Sequence, residues 1–392
     1  MYIKRNAEKI LKHFCSLFPA VAVTGPRQSG KSTMLRNIFS KNYQYVSFDD
    51  PAQIQLFESD PVGFMDSLIL PVILDEVQKL PAIFPYIKIA IDNNRNHYGS
   101  FILTGSSQFS FIKQITETLA GRIGFINLLP LDYTELTAAQ AEKQMLHGSY
   151  PELVARNYSG ITEWYSAYVS TYLDRDVRTL YNIGNYRDFR RFLFLLAAYS
   201  AQELNMSVIS REIGVTVKSI QHWISTLEAS YIIFLLPPYF NNLGKRIVKR
   251  PKIYFYDTGL VCHLTSIRSA ETLERGPLAG PIFENYVIAE LKKNHLHTGA
   301  DCEMFYYRNN AGLEADLIIL NNQTQETAYF EIKHSKTIKP EFAGSLKQLI
   351  GLEEISNRKK NNISGCVIYR GNSVRQLNQK IQFKPLKAIF SN

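Results

Sequence analysis

The stretch Ala20-Val21-Ala22-Val23-Thr24-Gly25-Pro26-Arg27-Gln28-Ser29-Gly30-Lys31-Ser32-Thr33 changes character twice within fourteen residues. A short β-branched run gives way to Gly25-Pro26, and apolar spacing of helical period follows at Met34, Leu35 and Ile38. Strand, loop and helix are therefore expected in succession. Gly25 to Ser32 spell G-x-x-x-x-G-K-S, the P-loop or Walker A pattern, in the context that gives it meaning. Glycines let the backbone bend until several N–H groups converge on one anion, and the helix that follows adds the positive end of its dipole. Gly25, Pro26, Arg27, Gln28, Ser29, Gly30, Lys31, Ser32 and Thr33 are thus expected to hold ATP. Lys31 is expected at the β- and γ-phosphates and Ser32 on Mg²⁺.

Working outward, Pro71-Val72-Ile73-Leu74-Asp75-Glu76 has the continuous apolar run of a strand buried on both faces, with acids at its carboxyl end. Asp75 is expected in the Mg²⁺ shell, the Walker B position, and Glu76 as the base that orients the attacking water. A third strand, Phe101-Ile102-Leu103-Thr104, ends in small polar residues, so Thr104 and Ser106 are placed to sense the γ-phosphate. Arg122 precedes another apolar strand, Ile123 to Leu129. It reads as an arginine finger for a neighbouring copy, a residue of its own nucleotide site, or a structural salt bridge.

Together with FDDP (from Phe48), LTGSSQF (from Leu103), LAGRI (from Leu119), GSYPE (from Gly148), YLDRDVR (from Tyr172), FYDTGL (from Phe255), FENYVIAEL (from Phe283) and EIKHS (from Glu331), these motifs resemble a prokaryotic AAA+ family. Its members join an ATPase core to a C-terminal domain of uncharacterised function. The resemblance spans essentially the whole chain and implies an ATP-binding protein of AAA+ fold, in which an arginine at the position of Arg122 faces the neighbouring subunit. A homo-oligomer is the matching expectation.

The 392 residues suffice for two to three domains at ~150 residues each, and 45% apolar residues exclude a disordered chain. Residues 1–140 are expected to form the ATPase core and 141–200 a helical lid and bridge. The charge run Asp174-Arg175-Asp176-Val177-Arg178 within that bridge reads as a solvated face. Residues 201–275 carry helix-turn-helix grammar: a break at Ile213-Gly214-Val215, an N-cap at Thr216, and then an apolar run from Tyr231 to Leu236. A winged-helix domain is expected, with Lys218, Ser219, Gln221 and His222 facing outward. The unit either reads DNA or packs against protein. The string Lys245-Arg246-Ile247-Val248-Lys249-Arg250 is either a phosphate-backbone patch or a solvated hairpin.

Residues 276–392 change pattern again, with a helix from Ile282 to Lys293 and strands at Met304–Tyr307, Ala315–Leu320 and Ala328–Ile332. Glu284 lies in the helix, Asp316 opens the second strand, and Glu331 and Lys333 share a face at the end of the third. Carboxylates and a lysine suit a Mg²⁺-dependent phosphodiesterase, and the arrangement resembles the PD-(D/E)xK nuclease fold. That resemblance makes Glu284, Asp316 and Glu331 metal ligands, Lys333 the signature lysine and Gln348 its helix glutamine. Either the domain cleaves nucleic acid or the fold is retained as an inert scaffold, with Glu331 and Lys333 forming an ion pair.

The overall expectation is an α/β protein: a P-loop AAA+ core with helical lid, a winged-helix domain and a C-terminal α/β restriction-endonuclease-like domain. Its ligands would be ATP and Mg²⁺, and its macromolecular partner DNA; a net charge of +9 suits a polyanionic partner and serves equally as a plain solubility charge. The alternative is a slow nucleotide-dependent switch with a protein partner. Scattered Cys15, Cys262, Cys302 and Cys366 read as reduced thiols. His295 and His297 read as a solvated helix end. No signal peptide or membrane span is expected, since FLFLLAAY and YIIFLLPPYF fall short of ~18–20 residues, so the protein is expected in the cytoplasm.

Overall fold

The structure, a computed structural model, describes residues 2–105, 115–173, 186–239, 250–355 and 362–390. Its first layer is a five-stranded parallel sheet in the order β2-β3-β4-β1-β5, comprising β1 (Ala20–Thr24), β2 (Gln44–Ser47), β3 (Val72–Asp75), β4 (Phe101–Thr104) and β5 (Ile123–Asn127). Every residue of β1, β3 and β4 is buried. Alternate side chains serve opposite faces. Ala20, Ala22, Leu74 and Leu103 pack towards Ile83, Phe84 and Ile87, while Val21, Val23, Ile73 and Ile102 pack towards Leu11, Met34 and Leu35. Burial on both faces is why these strands read as continuous apolar runs rather than alternating ones. Insertion of β4 between β1 and β3 brings three strand ends together at one edge, which is where the site forms.

The middle of the chain is helical. Helices Ala138–His147, Ile161–Tyr168, Tyr186–Ala198, Met206–Ile213 and Val217–Ala229 contribute to one apolar core that contains Tyr165, Phe189, Phe192, Trp223 and Leu227. Asn205 caps Met206–Ile213 by accepting from Val208 N, Gly214 ends it at φ 86°, and Thr216 caps the next helix by accepting from Ser219 N. Helix, turn and helix thus follow the polar punctuation of the sequence. An antiparallel pair, β6 (Ile233–Leu236) and β7 (Lys252–Phe255), completes the unit. Lys218 and Gln221 are exposed, and Ser219 and His222 half-buried. Asp257 joins two motifs of this region, accepting from Ser149 N at 2.8 Å and from Tyr165 OH at 2.6 Å.

The C-terminal region forms a six-stranded mixed sheet, β12-β13-β11-β10-β9-β8. Its strands are β8 (Cys302–Arg308), β9 (Glu314–Asn321), β10 (Glu326–Lys333), β11 (Ile363–Tyr369), β12 (Arg375–Gln376) and β13 (Ile381–Pro385). Strands β9 and β10 are antiparallel hairpin partners. Helix Ala279–Thr298 lies against one face, and Gly344–Ile355 sends Leu346, Leu349 and Ile350 to the other. Phe234, Leu236, Tyr254 and Tyr256 of the β6–β7 pair belong to the same core as Phe283, Val287, Leu317 and Ile332. At ~1.5–3 kcal/mol per fully buried large apolar side chain, this shared core holds the strand pair and the C-terminal sheet as one body. Among the described residues, no helix is long and apolar enough to cross a membrane.

Candidate functional site

The P-loop leaves β1 through Gly25 at φ 147° and closes through Gly30 at φ 92°, where helix Lys31–Phe39 begins. A Cβ at Gly25 would sit 2.1 Å from the carbonyl oxygen of Leu128, so only glycine permits this path. Gln28 also adopts positive φ, 60°, at the crest of the loop. The Lys31 ammonium folds back to donate to the carbonyls of Gly25 (3.1 Å) and Pro26 (2.9 Å). Burial lowers its pKa to about 8, against the opposing pull of Glu76 and Asp75. The buried Ser29 Oγ has no hydrogen-bond partner among the described residues.

Asp75 is the meeting point of the site. Ser32 Oγ lies 3.1 and 3.0 Å from its two oxygens, and Thr104 Oγ1 and Tyr45 OH both donate to the same carboxylate. Four elements therefore converge on one acid: the P-loop helix, β2, β3 and β4. Glu76, half-buried, takes φ 57°, its amide donates to Thr104 Oγ1 at 3.3 Å, and Gln78 Nε2 donates to its Oε2. Thr33 is exposed on the outer side of the first helical turn. Ser106 lies outside the described residues, as do Arg175 and the basic string up to Lys249.

Arg122 stands elsewhere. It precedes β5, at the amino edge of the sheet, whereas the P-loop leaves the carboxyl edge, a strand of roughly 15 Å away. Its guanidinium grips Asp92 through two bonds, Nε–Oδ1 2.7 Å and Nη2–Oδ2 3.0 Å. Service to its own chain's nucleotide site is therefore corrected: strand direction carries it to the opposite rim.

The second set of predicted residues assembles around helix Ala279–Thr298 and the β9–β10 hairpin. Asp316 Oδ2 accepts from Ile332 N at 2.7 Å, and Glu331 Oε1 lies 2.5 Å from Lys333 Nζ. Glu284 Oε1 accepts from Tyr254 OH (2.7 Å) and Lys252 Nζ (3.1 Å), and the same ammonium lies 3.2 Å from Glu314. Burial, followed by repulsion from Asp316, raises Glu284 and Glu331 to about 7 each, and burial raises Asp316 as well. Burial opposes the charge on Lys252, but Glu284, Asp316 and Glu314 outweigh it and raise its pKa. Gln348 is a correction: it is exposed on Gly344–Ile355, whose core-facing positions are Leu346, Leu349 and Ile350, so helical periodicity turns it outward.

Several residues of both sites gave no local signal. Arg5 is 3% exposed and donates to the P-loop carbonyl of Ser29 (2.8 Å), to Leu129 O (2.7 Å) and to Glu135 (3.0 Å). Tyr45 reaches Asp75 from the neighbouring strand, and Lys252 reaches Glu284 and Glu314 from β7, outside the C-terminal sheet. His297 corrects the reading of a solvated helix end, being fully buried, with Nε2 accepting from Leu129 N (3.1 Å) and Nδ1 facing Asp132 (2.8 Å). Asp132, Glu135 and His297 have ligand atoms within 4.8 Å of one another. Each is already engaged, however: Asp132 by Asn6 and Thr134, Glu135 by Arg5 and Asn6, and both nitrogens of His297. The trio therefore acts as a structural clamp, since a metal ion would have to displace buried hydrogen bonds.

Residues 17–137 match the family model of an AAA domain. Residues 138–271 and 279–389 match two domains of unknown function, DUF8612 and DUF4143. An uncharacterized protein of Mycobacterium tuberculosis is 28% identical over 350 residues, covering 88% of this chain and 77% of that protein. An uncharacterized protein of Methanocaldococcus jannaschii is 22% identical over 340 residues, covering 77% and 72%. Among solved structures, the Walker-type ATPase of Pyrococcus abyssi matches with TM-score 0.46 at 16% identity, over 66% of this chain and 94% of that one. The Thermotoga maritima RuvB Holliday junction branch migration motor matches with TM-score 0.32 at 18% identity, over 59% and 89%. The first region is thus similar to an AAA domain, and its parallel sheet resembles a P-loop ATPase core.

Proposed function

We propose that the chain binds ATP with Mg²⁺ and hydrolyses it at the rim of the first sheet. The observation that carries this is the convergence of Ser32, Thr104 and Tyr45 on Asp75 directly beside the P-loop lysine. The donor set suits the ligands: a hydroxyl and a carboxylate 3.0 Å apart offer oxygens to a hard cation, and a buried ammonium in the same loop as a serine hydroxyl without a partner among the described residues suits phosphate oxygens. Mg²⁺, when bound, neutralises charge between the phosphates.

In this reading the backbone amides of Gly25 to Ser32 bind the phosphates. Lys31 turns from the carbonyls of Gly25 and Pro26 to the β- and γ-oxygens, and Ser32 with Asp75 holds the metal. Glu76, kept in place by Gln78, orients the attacking water and takes its proton, while Thr104 and Ser106 fix the γ-phosphate side. Arg122 exchanges its salt bridge with Asp92 for a role in trans, on the site of a neighbouring copy in a homo-oligomer; its place at the far rim of the sheet suits that role.

The helix-turn-helix with its strand pair is a winged-helix unit, and exposed Lys218 and Gln221 suit a nucleic-acid groove. We take DNA as the macromolecular partner, with ATP turnover driving movement of this unit. The test is phosphate release by the purified chain with ATP and Mg²⁺, with and without duplex DNA; absence of turnover in Glu76→Gln alongside retained ATP binding supports the assignment.

A specific observation favours a second reading of the C-terminal domain, as scaffold rather than nuclease. Glu284, Glu314 and Glu331 are paired with Lys252 and Lys333, so the carboxylates are already neutralised in part by the protein itself. Assays for cutting of DNA and RNA with Mg²⁺ or Mn²⁺ discriminate the two.

A further inference from the structure

The signature residues of the C-terminal cluster come from its own helix and hairpin, but the cation at its centre does not. Lys252 belongs to β7, in the strand pair that follows the helix-turn-helix, and it is 5% exposed. Its Nζ bridges Glu284 of the Ala279–Thr298 helix at 3.1 Å and Glu314 of β9 at 3.2 Å. The Tyr306 ring lies 5.5 Å away, and Tyr254, two residues along the same strand, donates to the same Glu284 oxygen. Asp316 and Glu331 complete the set, and the buried Glu331 Oε2 has no hydrogen-bond partner among the described residues.

A divalent ion needs several carboxylate oxygens free to converge on one point. Here the Glu284 oxygen nearest that point already receives an ammonium and a phenol, and Asp316 is held by a backbone amide. The residues as arranged do not fit a metal ion alongside Lys252. Among the described residues four carboxylates, Glu284, Glu314, Asp316 and Glu331, nevertheless face three cations: Lys252, Lys333 and, 3.9 Å from Glu314, Arg308. The cluster therefore keeps a surplus of negative charge that grows if Lys252 is neutralised.

We propose that Lys252 is an internal substitute for a divalent cation, closing the C-terminal carboxylate site to metal and joining the helix-turn-helix unit to the C-terminal domain through the same ion pairs. The proposal deepens the scaffold reading and is independent of ATP turnover. It also gives the site a defined ligand class, a hard divalent cation, once the ammonium is removed.

The test uses the full chain carrying Asp75→Asn, so that the nucleotide site contributes no metal binding, and Mn²⁺ as the probe, followed by calorimetry and by the paramagnetic resonance of free Mn²⁺. With Lys252 in place no Mn²⁺ is expected to bind at the cluster, and the melting temperature is unchanged by the ion. Lys252→Met, which keeps length without charge, is expected to melt lower and to bind one Mn²⁺ with at least tenfold higher affinity than its parent, regaining melting temperature as it does so. Adding Asp316→Asn abolishes that binding. Should Lys252→Met fail to fold, comparison of the parent with its Asp316→Asn derivative still decides. Binding of Mn²⁺ by the parent that Asp316→Asn removes would overturn the proposal, as would a folded Lys252→Met chain that binds none. Cutting of nucleic acid is assayed separately: cleavage dependent on Asp316 removes the scaffold reading, whereas metal binding by the parent that retains Lys252, without cleavage, removes only the role of Lys252.

Discussion

Arg5 holds the P-loop from behind: its Nη1 donates to the carbonyl oxygen of Ser29 at 2.8 Å while its Nε pairs with Glu135 at 3.0 Å. Glu135 also binds the amide of Asp132, whose carboxylate faces His297 on the helix that carries Glu284. The loop and the C-terminal helix are thus connected through a continuous set of buried hydrogen bonds.

Substitution of Arg5 by alanine leaves Glu135 without its buried counter-charge, and such losses cost about 3–5 kcal/mol. Arg5→Lys keeps the charge but gathers its donors on one nitrogen, which does not span the acceptors that Nε, Nη1 and Nη2 reach separately, so a smaller loss of stability is expected with about tenfold weaker nucleotide binding, some 1.4 kcal/mol. Denaturant melts and titration with a fluorescent ATP analogue read the two effects. Unchanged affinity in a stable Arg5→Lys chain would confine Arg5 to a structural role.

Glu76→Gln should bind ATP with near-normal affinity and release phosphate at least a hundredfold more slowly, because the amide cannot accept the proton of the attacking water. Thr104→Val removes a donor from Asp75 and an acceptor from the Glu76 amide, and a smaller fall in turnover is expected. Single-turnover phosphate release separates these from binding defects. Equal turnover in Glu76→Gln and the parent would take Glu76 out of the mechanism.

Gly25→Ala forces a Cβ against the backbone oxygen of Leu128, a contact that no side-chain rotation relieves. Loss of nucleotide binding together with a lower melting temperature is expected, in contrast to the exposed Thr33→Ala, which should leave both within ~0.5 kcal/mol of the parent.

His295 supplies a pH test. Burial, with the nearby charge of Lys292, lowers its pKa to about 4, against about 6.5 in an unfolded chain. The unfolded chain then takes up a proton that the folded one refuses, so this contribution to stability is lost as the pH falls from about 6.5 towards 4. His295→Leu should therefore gain stability relative to the parent as pH drops from 7 to 5. A difference in melting temperature that stays constant over that range would contradict the shift.

Lys218→Glu reverses the one permanent cation among the four outward positions of the second helix. If that helix meets DNA, binding to a duplex should weaken several-fold, more at low salt than at high, with ATP turnover in the absence of DNA unchanged. Fluorescence anisotropy across a salt series reads it. Equal binding by both chains would assign the helix to protein packing.

The first sheet and its P-loop were legible because their signals are local. Continuous apolar runs mark strands buried on both faces, and glycine spacing marks a backbone that must bend. The helix-turn-helix was legible for the same reason, since Thr216 caps the amide of Ser219 three residues on and Gly214 supplies the left-handed φ of 86° that ends the preceding helix. Gln348 was misjudged because a motif position does not state which side of its helix meets the core. Arg122 was only partly readable, because strand direction decides which rim it occupies.

Sequence by itself determined where the glycine-bent loop would join strand to helix and which acids would end strands, since both follow from chain conformation over a few residues. Tertiary structure alone decided that Arg5 braces the loop, that Tyr45 reaches Asp75, and that Lys252 rather than open solvent faces Glu284. Those partners are separated by 24, 30 and 32 positions along the chain. Pairing of buried polar and charged groups across such separations depends on which elements pack together, and short-range patterns of apolar and polar residues do not encode it.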